Sequence, residues 1–127
     1  MSKQKVMLVD DSSTNNILYE SILVDEGYDV ITCLDAKSAL KRLQKDTPDL
    51  IMLDLMMPGM DGFDLLEKIN ELNNSPSIPV IMLTASNDKT SELKAIKMGV
   101  AAYLNKPVGI AVISEKVKEI LSTKVRT

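Results

Sequence analysis

The order of apolar and amphipathic segments in this chain predicts a doubly wound α/β sheet. Short runs that are apolar throughout recur at Val6-Met7-Leu8-Val9, Leu50-Ile51-Met52-Leu53 and Val80-Ile81-Met82-Leu83. Stretches with helical spacing of apolar residues separate them. Runs of this length that do not alternate fit strands buried on both faces, as in a parallel sheet covered by helices. Two mixed segments, Tyr28 to Cys33 and Ala101 to Asn105, read as edge strands.

Five helices complete a strict βα order. Ile17, Leu18, Ile22 and Leu23 make the first stripe, with Gly27 as its stop. Ala36, Ala39, Leu40 and Leu43 make the second, which ends before Pro48. Leu65, Leu66, Ile69 and Leu72 make the third, entered through Asp61-Gly62. Leu93 and Ile96 mark a weaker fourth, with Asn87 or Asp88 as N-cap and Gly99 as stop. Ile113, Val117, Ile120 and Leu121 make the fifth, after Gly109. The pattern contains no internal repeat or linker, so residues 1–127 are expected to form one domain.

Composition removes several function classes. There is no histidine and only one cysteine, Cys33. The usual zinc ligand sets and the Ser-His and Cys-His nucleophile pairs are therefore impossible. An internal disulfide is impossible too. A net charge of −3 is not the basic stripe of a nucleic-acid binder. No apolar run approaches the ~20 residues of a membrane span, and the short N-terminal segment lacks the form of a secretion signal. The expected location is the cytoplasm.

In open sheets of this kind ligands bind beyond the carboxyl ends of the strands. The first strand ends in Asp10-Asp11, the third in Asp54, the fourth in Thr84 and the fifth in Asn105-Lys106-Pro107. Each close pair of carboxylates costs on the order of 1–4 kcal/mol unless a cation or a shared proton relieves it. Oxygen ligands of this kind suit Mg²⁺, held by Asp10 and Asp11 with Asp54 opposite. Asp10-Asp11 also precedes a helix, so one of the two acids is expected to cap it. A metal, a carboxylate and a lysine together equip a site for phosphoryl transfer. Asp54 is the candidate nucleophile. Thr84 would donate a hydroxyl hydrogen bond to the phosphate, and Lys106 would balance its charge. Pro107 restricts the backbone at Lys106 and so the direction of its side chain.

These pieces, each on its own strand end, resemble the response-regulator receiver domains of two-component signalling. The resemblance runs from about Lys5 to about Leu121. It rests on Val9-Asp10-Asp11, on the stretch from Asp54 through Pro58 and Gly59 to Asp61-Gly62, on Thr84-Ala85, and on Gly99 through Tyr103 to Lys106-Pro107. It implies a flavodoxin-like fold with strand order 2-1-3-4-5. It also implies Asp54 as phosphoacceptor and Mg²⁺ at Asp10, Asp11, Asp54 and the backbone carbonyl of Met56. Thr84 and Tyr103 would be a switch pair, Lys106 would contact the phosphoryl group, and a cis peptide would precede Pro107. Met56 and Ser86 occupy positions that modulate phosphate lifetime in the family.

A flavin site is disfavoured, because two carboxylates after the first strand would repel the flavin phosphate. A phosphatase with an aspartyl nucleophile would want an acid two positions beyond it, where Met56 stands. The implied function is a signalling switch that catalyses only its own phosphorylation and dephosphorylation. With no histidine of its own, the chain needs a donor on another chain or domain: a histidine kinase or a histidine phosphotransfer protein. A downstream protein target is expected, with no direct nucleic-acid contact, no membrane insertion, and a monomer or weak phosphorylation-dependent dimer.

Overall fold

The computed structural model describes residues 3–57, 59, 61–72 and 78–125. Pro58 and Met60 of the long motif lie outside the described residues. Five strands and five helices alternate in the expected order. They are β1 (Lys5–Val9), α1 (Ser13–Asp25), β2 (Asp29–Cys33), α2 (Ala36–Leu43), β3 (Leu50–Asp54), α3 (Gly62–Leu72), β4 (Val80–Thr84), α4 (Lys89–Lys97), β5 (Ala102–Asn105) and α5 (Ile110–Val125). The strands form one parallel sheet in the order β2-β1-β3-β4-β5. Among the described residues, no helix is long and apolar enough to cross a membrane.

The alternation of side chains along the central strands builds two cores. Met7, Val9, Ile51, Leu53, Val80 and Met82 face α2, α3 and α4, where Ala36, Ala39, Leu65, Leu66, Ile69 and Ala95 meet them. Val6, Leu8, Leu50, Met52, Ile81 and Leu83 face α1 and α5, meeting Tyr19, Leu23, Ile113, Val117 and Leu121. A strand covered on both faces has no use for polar residues, which is why these runs are apolar without alternation.

Three helices differ from their expected stripes. In α1 the buried residues are Asn16, Tyr19 and Leu23, while Ile17 is 66% and Leu18 45% exposed. The spacing is still helical, but the face is turned by about one residue because Asn16 and Tyr19 occupy core-facing positions. In α4 only Ala95 is buried, and Leu93 and Ile96 are 59% and 57% exposed. Leu72, at the end of α3, is also exposed. The stripes of α2 and α5 lie inward as expected, with Leu40, Leu43 and Ile120 partly buried at their margins.

The start of α3 is fixed by a close backbone approach. The N–H of Gly62 donates to the carbonyl of Leu55 at 2.7 Å. A Cβ at Gly62 would stand 2.6 Å from the Cα of Leu55 and 3.0 Å from the carbonyl oxygen of Asp54. Both obstacles are backbone and cannot rotate away. Gly62→Ala should therefore cost about 2 kcal/mol or more, although alanine gains up to ~1 kcal/mol in helix propensity. Thermal unfolding should show a Tm lower by at least ~5 °C; an unchanged or raised Tm would refute the close-approach argument.

Candidate functional site

Two neighbouring strands deliver the acids. β1 and β3 pair directly, with Val9 beside Leu53, so the residues that follow leave the sheet side by side. Asp10, Asp11 and Asp54 each offer a carboxylate oxygen within 4.8 Å of the other two. Asp10 and Asp54 are buried, whereas Asp11 is exposed. Lys106, from the end of β5, places Nζ 3.1 Å from Asp10 Oδ2 and 3.6 Å from Asp54 Oδ2. The lysine thus bridges two carboxylates from different strands. The Lys106–Pro107 peptide is cis, as the resemblance implies.

Neither acid caps α1, contrary to expectation. The N-cap is Ser12, whose hydroxyl oxygen accepts the N–H of Asn15. Asp10 instead accepts the N–H of Ser12 at 2.9 Å through Oδ1 and Asn15 Nδ2 at 3.3 Å through Oδ2. A hydroxyl so close to the helix start meets the capping requirement and leaves both acids to the rim. At α4 the cap is Asp88, one of the two candidates.

Thr84 is fully buried at the end of β4, and its hydroxyl oxygen accepts the N–H of Ser86 at 3.0 Å. Its backbone is in register with Asn105 rather than with the acids. Met56 is exposed as a side chain, and its N–H donates to Asp54 Oδ1 at 3.2 Å. Tyr103 packs its ring against the core shared by α2, α3 and α4, with its hydroxyl enclosed and without a hydrogen-bond partner. The sequence reading missed three polar residues of α1: Asn15, Asn16 and Tyr19. Their signal was a polar residue at each of two core-facing positions, 16 and 19, in phase with Leu23.

Burial pushes the carboxyl of Asp54 above the ordinary aspartate range, and the charges of Asp10 and Asp11 add to that push. Lys106 and the Met56 N–H pull the other way without cancelling it. Burial works against the charge on Lys106, but its hydrogen bond to Asp10 and the charge of Asp54 outweigh it and hold the ammonium above its usual value. Burial also raises the phenol of Tyr19, which feels the charges of Lys106, Asp10 and Asp54.

The folded protein holds the Asp54 proton more tightly than the unfolded chain does, so ionised Asp54 opposes folding above its raised pKa. Without divalent cations, Asp54→Asn should therefore be more stable than the parent at pH 7, by about 1 kcal/mol. The advantage should shrink as pH falls through the Asp54 range and vanish below about 4. Paired thermal unfolding across pH 4–8 checks this; an advantage that does not change with pH would remove the burial argument.

Comparison with known proteins agrees with this geometry. The family profile described as the response regulator receiver domain matches residues 6–118. A CheY-like receiver domain protein from Methanospirillum hungatei superposes with a TM-score of 0.92 at 30% identity, covering 98% of each chain. Chemotaxis protein CheY4 of Vibrio cholerae gives 0.87 at 28% identity, covering 94% of this chain and 99% of that one. Response regulator PleD of Caulobacter vibrioides is 33% identical over 120 residues, which are 94% of this chain and 26% of PleD. The transcriptional regulatory protein PhoP of Bacillus subtilis, for alkaline phosphatase synthesis, is 33% identical over 93% of this chain and 48% of its own length. The chain thus spans between about a quarter and a half of the length of these curated relatives. It belongs to the response regulator receiver domain family of two-component signalling.

Proposed function

We propose that residues 1–127 act as one receiver domain that takes a phosphoryl group onto Asp54 from a phosphohistidine. The observation that carries this reading is the bridge of Lys106 between Asp10 and Asp54, with Asp11 alongside. Three acids share one lysine, which leaves the cluster short of positive charge. That donor set, all hard oxygen, suits Mg²⁺ held by Asp10, Asp11, Asp54 and the carbonyl of Met56. When bound, the metal neutralises charge on the phosphoryl oxygens.

In the transfer an Asp54 carboxylate oxygen attacks phosphorus as the P–N bond of the donor breaks. The bonding pair passes to the imidazole nitrogen, which takes up a proton. Lys106 balances the phosphoryl charge, and the Thr84 hydroxyl turns from Ser86 to donate to a phosphoryl oxygen. The cleft between Leu18 and Tyr19 of α1 and Lys106 to Val108 is the open flank for a donor imidazole. The donor is a histidine kinase or a histidine phosphotransfer protein. The chain acts on itself and not on an outside substrate, in the cytoplasm, without membrane insertion or direct contact with nucleic acid.

The readout is a protein-interaction surface formed by α4, β5 and α5, as a monomer or a weak phosphorylation-dependent dimer. Outward Leu93 and Ile96 support it, as does a Tyr103 hydroxyl that no hydrogen bond holds in place. Met56 at the site edge has no group to orient a hydrolytic water, which favours a phosphate lasting minutes or longer.

Incubation with Mg²⁺ and a small acyl phosphate should add one phosphoryl group by intact mass, and Asp54→Asn should abolish it. An adduct that persists in Asp54→Asn would move the nucleophile elsewhere. Addition of beryllofluoride, which stands in for the aspartyl phosphate, should shift amide resonances across residues 84–110. Tyr103→Ala should weaken target binding and leave phosphorylation intact; shifts confined to the acid cluster would break the proposed coupling.

A further inference from the structure

Asn16 is 3% exposed, on the first turn and a half of α1, in a position the apolar pattern would assign to a core side chain. Its Nδ2 donates to the carbonyl oxygen of Asp10 at 3.0 Å and to that of Cys33 at 3.3 Å. Its Oδ1 is enclosed with no partner. Both neighbours are acceptors, so the amide has only one sensible orientation, nitrogen inward. The two carbonyls belong to the exits of β1 and β2, which a second bond, Asp10 N–H to Cys33 carbonyl at 3.1 Å, also ties together.

We infer that Asn16 is a positioning residue for the acid cluster: its amide fixes the plane of the Asp10–Asp11 peptide and so aims both carboxylates at one point. The inference rests on the reading of that cluster as a Mg²⁺ site. The Asp10 carbonyl is half of the peptide that joins the two acids. Among the described residues, no backbone N–H reaches that oxygen. The Cys33 carbonyl holds the preceding Val9–Asp10 peptide through the Asp10 N–H, and Asn16 holds the Asp10–Asp11 peptide through its carbonyl. Asp11 is exposed, with little packed around it, so its direction follows from the backbone. Asp10 has Lys106, Ser12 and Asn15 to hold its carboxylate. Loss of Asn16 should thus act chiefly through Asp11.

A purely structural Asn16 would serve only to satisfy two buried carbonyls. Its own orphaned oxygen makes it a poor device for that purpose, since burial recovers only the donor half of the amide. The two roles separate by experiment. Groups that orient metal ligands typically change metal affinity by 10–100-fold when removed. Mg²⁺ titrations followed by amide resonances, well below every Tm, should give Asn16→Ala a Kd about tenfold weaker than the parent. Val117→Ala, a core truncation in α5 away from the acids, should lower Tm and leave Kd within about twofold. In acyl-phosphate labelling, the Mg²⁺ needed for half-maximal rate should rise by about the same factor, while the saturated rate stays within about threefold.

Unchanged Mg²⁺ affinity in Asn16→Ala would overturn the inference, as would equal weakening in Val117→Ala. If Asn16→Ala does not fold, the parent protein still decides. The side-chain amide protons of Asn16 should shift on Mg²⁺ addition while those of exposed Asn70 stay fixed, and an unmoved Asn16 amide would refute the role. A parent protein that binds no Mg²⁺ at all would fail the site reading itself, which is a different result from equal binding by parent and variant.

Discussion

Two carboxylates leave adjacent strands of an apolar sheet at the same height, and much of the rest follows from that charge. β1 and β3 sit side by side at the point where the order of strands turns back, so no crossover helix covers the rim between their ends. Asp10 and Asp54 are both buried there, which would be prohibitive for two unpaired anions. Lys106 relieves the pair by reaching in from the end of β5, two strands away from β3. The long lysine stem spans a distance that a shorter cation could not. The site is thus closed by a residue almost a hundred positions from Asp10 in sequence, and it exists only in the folded protein.

The charge cluster is tolerated because the sheet beneath it is apolar on both faces. Two cores, one under α2, α3 and α4 and the other under α1 and α5, supply the stability that the rim subtracts. Raised Asp54, the orphaned Oδ1 of Asn16 and the enclosed hydroxyl of Tyr103 are three local costs. Unsatisfied or charged groups of this kind concentrate where a protein works rather than where it only packs.

Helix α4 is attached differently from the others. It buries one alanine and turns Leu93 and Ile96 outward. Lys94 lies 4.4 Å from the centre of the Phe63 ring, and Asn70 donates to the carbonyl of Met98. Both ties are polar or exposed, and each is weak beside a buried apolar face. An element with so little apolar burial belongs to the low-stability end of a fold. It follows the Thr84–Ser86 turn at the carboxyl end of β4.

The sequence by itself determined the class of fold, the succession of elements and the rim residues. Period and composition are local, and strands covered on both faces must be apolar throughout, so Val6–Val9, Leu50–Leu53 and Val80–Leu83 were legible without coordinates. Asp10 and Asp54 were legible for the same reason, each being the first polar residue after an apolar run, with Asp11 next to Asp10 and Lys106 directly after Asn105 at the end of the fifth strand. The rotational phase of α1 was not, because apolar residues lie on several of its sides and the choice among them depends on what faces the sheet. Asn16 takes that place because two carbonyls from separate strands converge on it, and convergence is a property of the tertiary structure alone. The same holds for the outward turn of Leu93 and Ile96. Residues distant in sequence decide which of several locally equivalent positions meets a partner, and only the closed sheet brings those residues together.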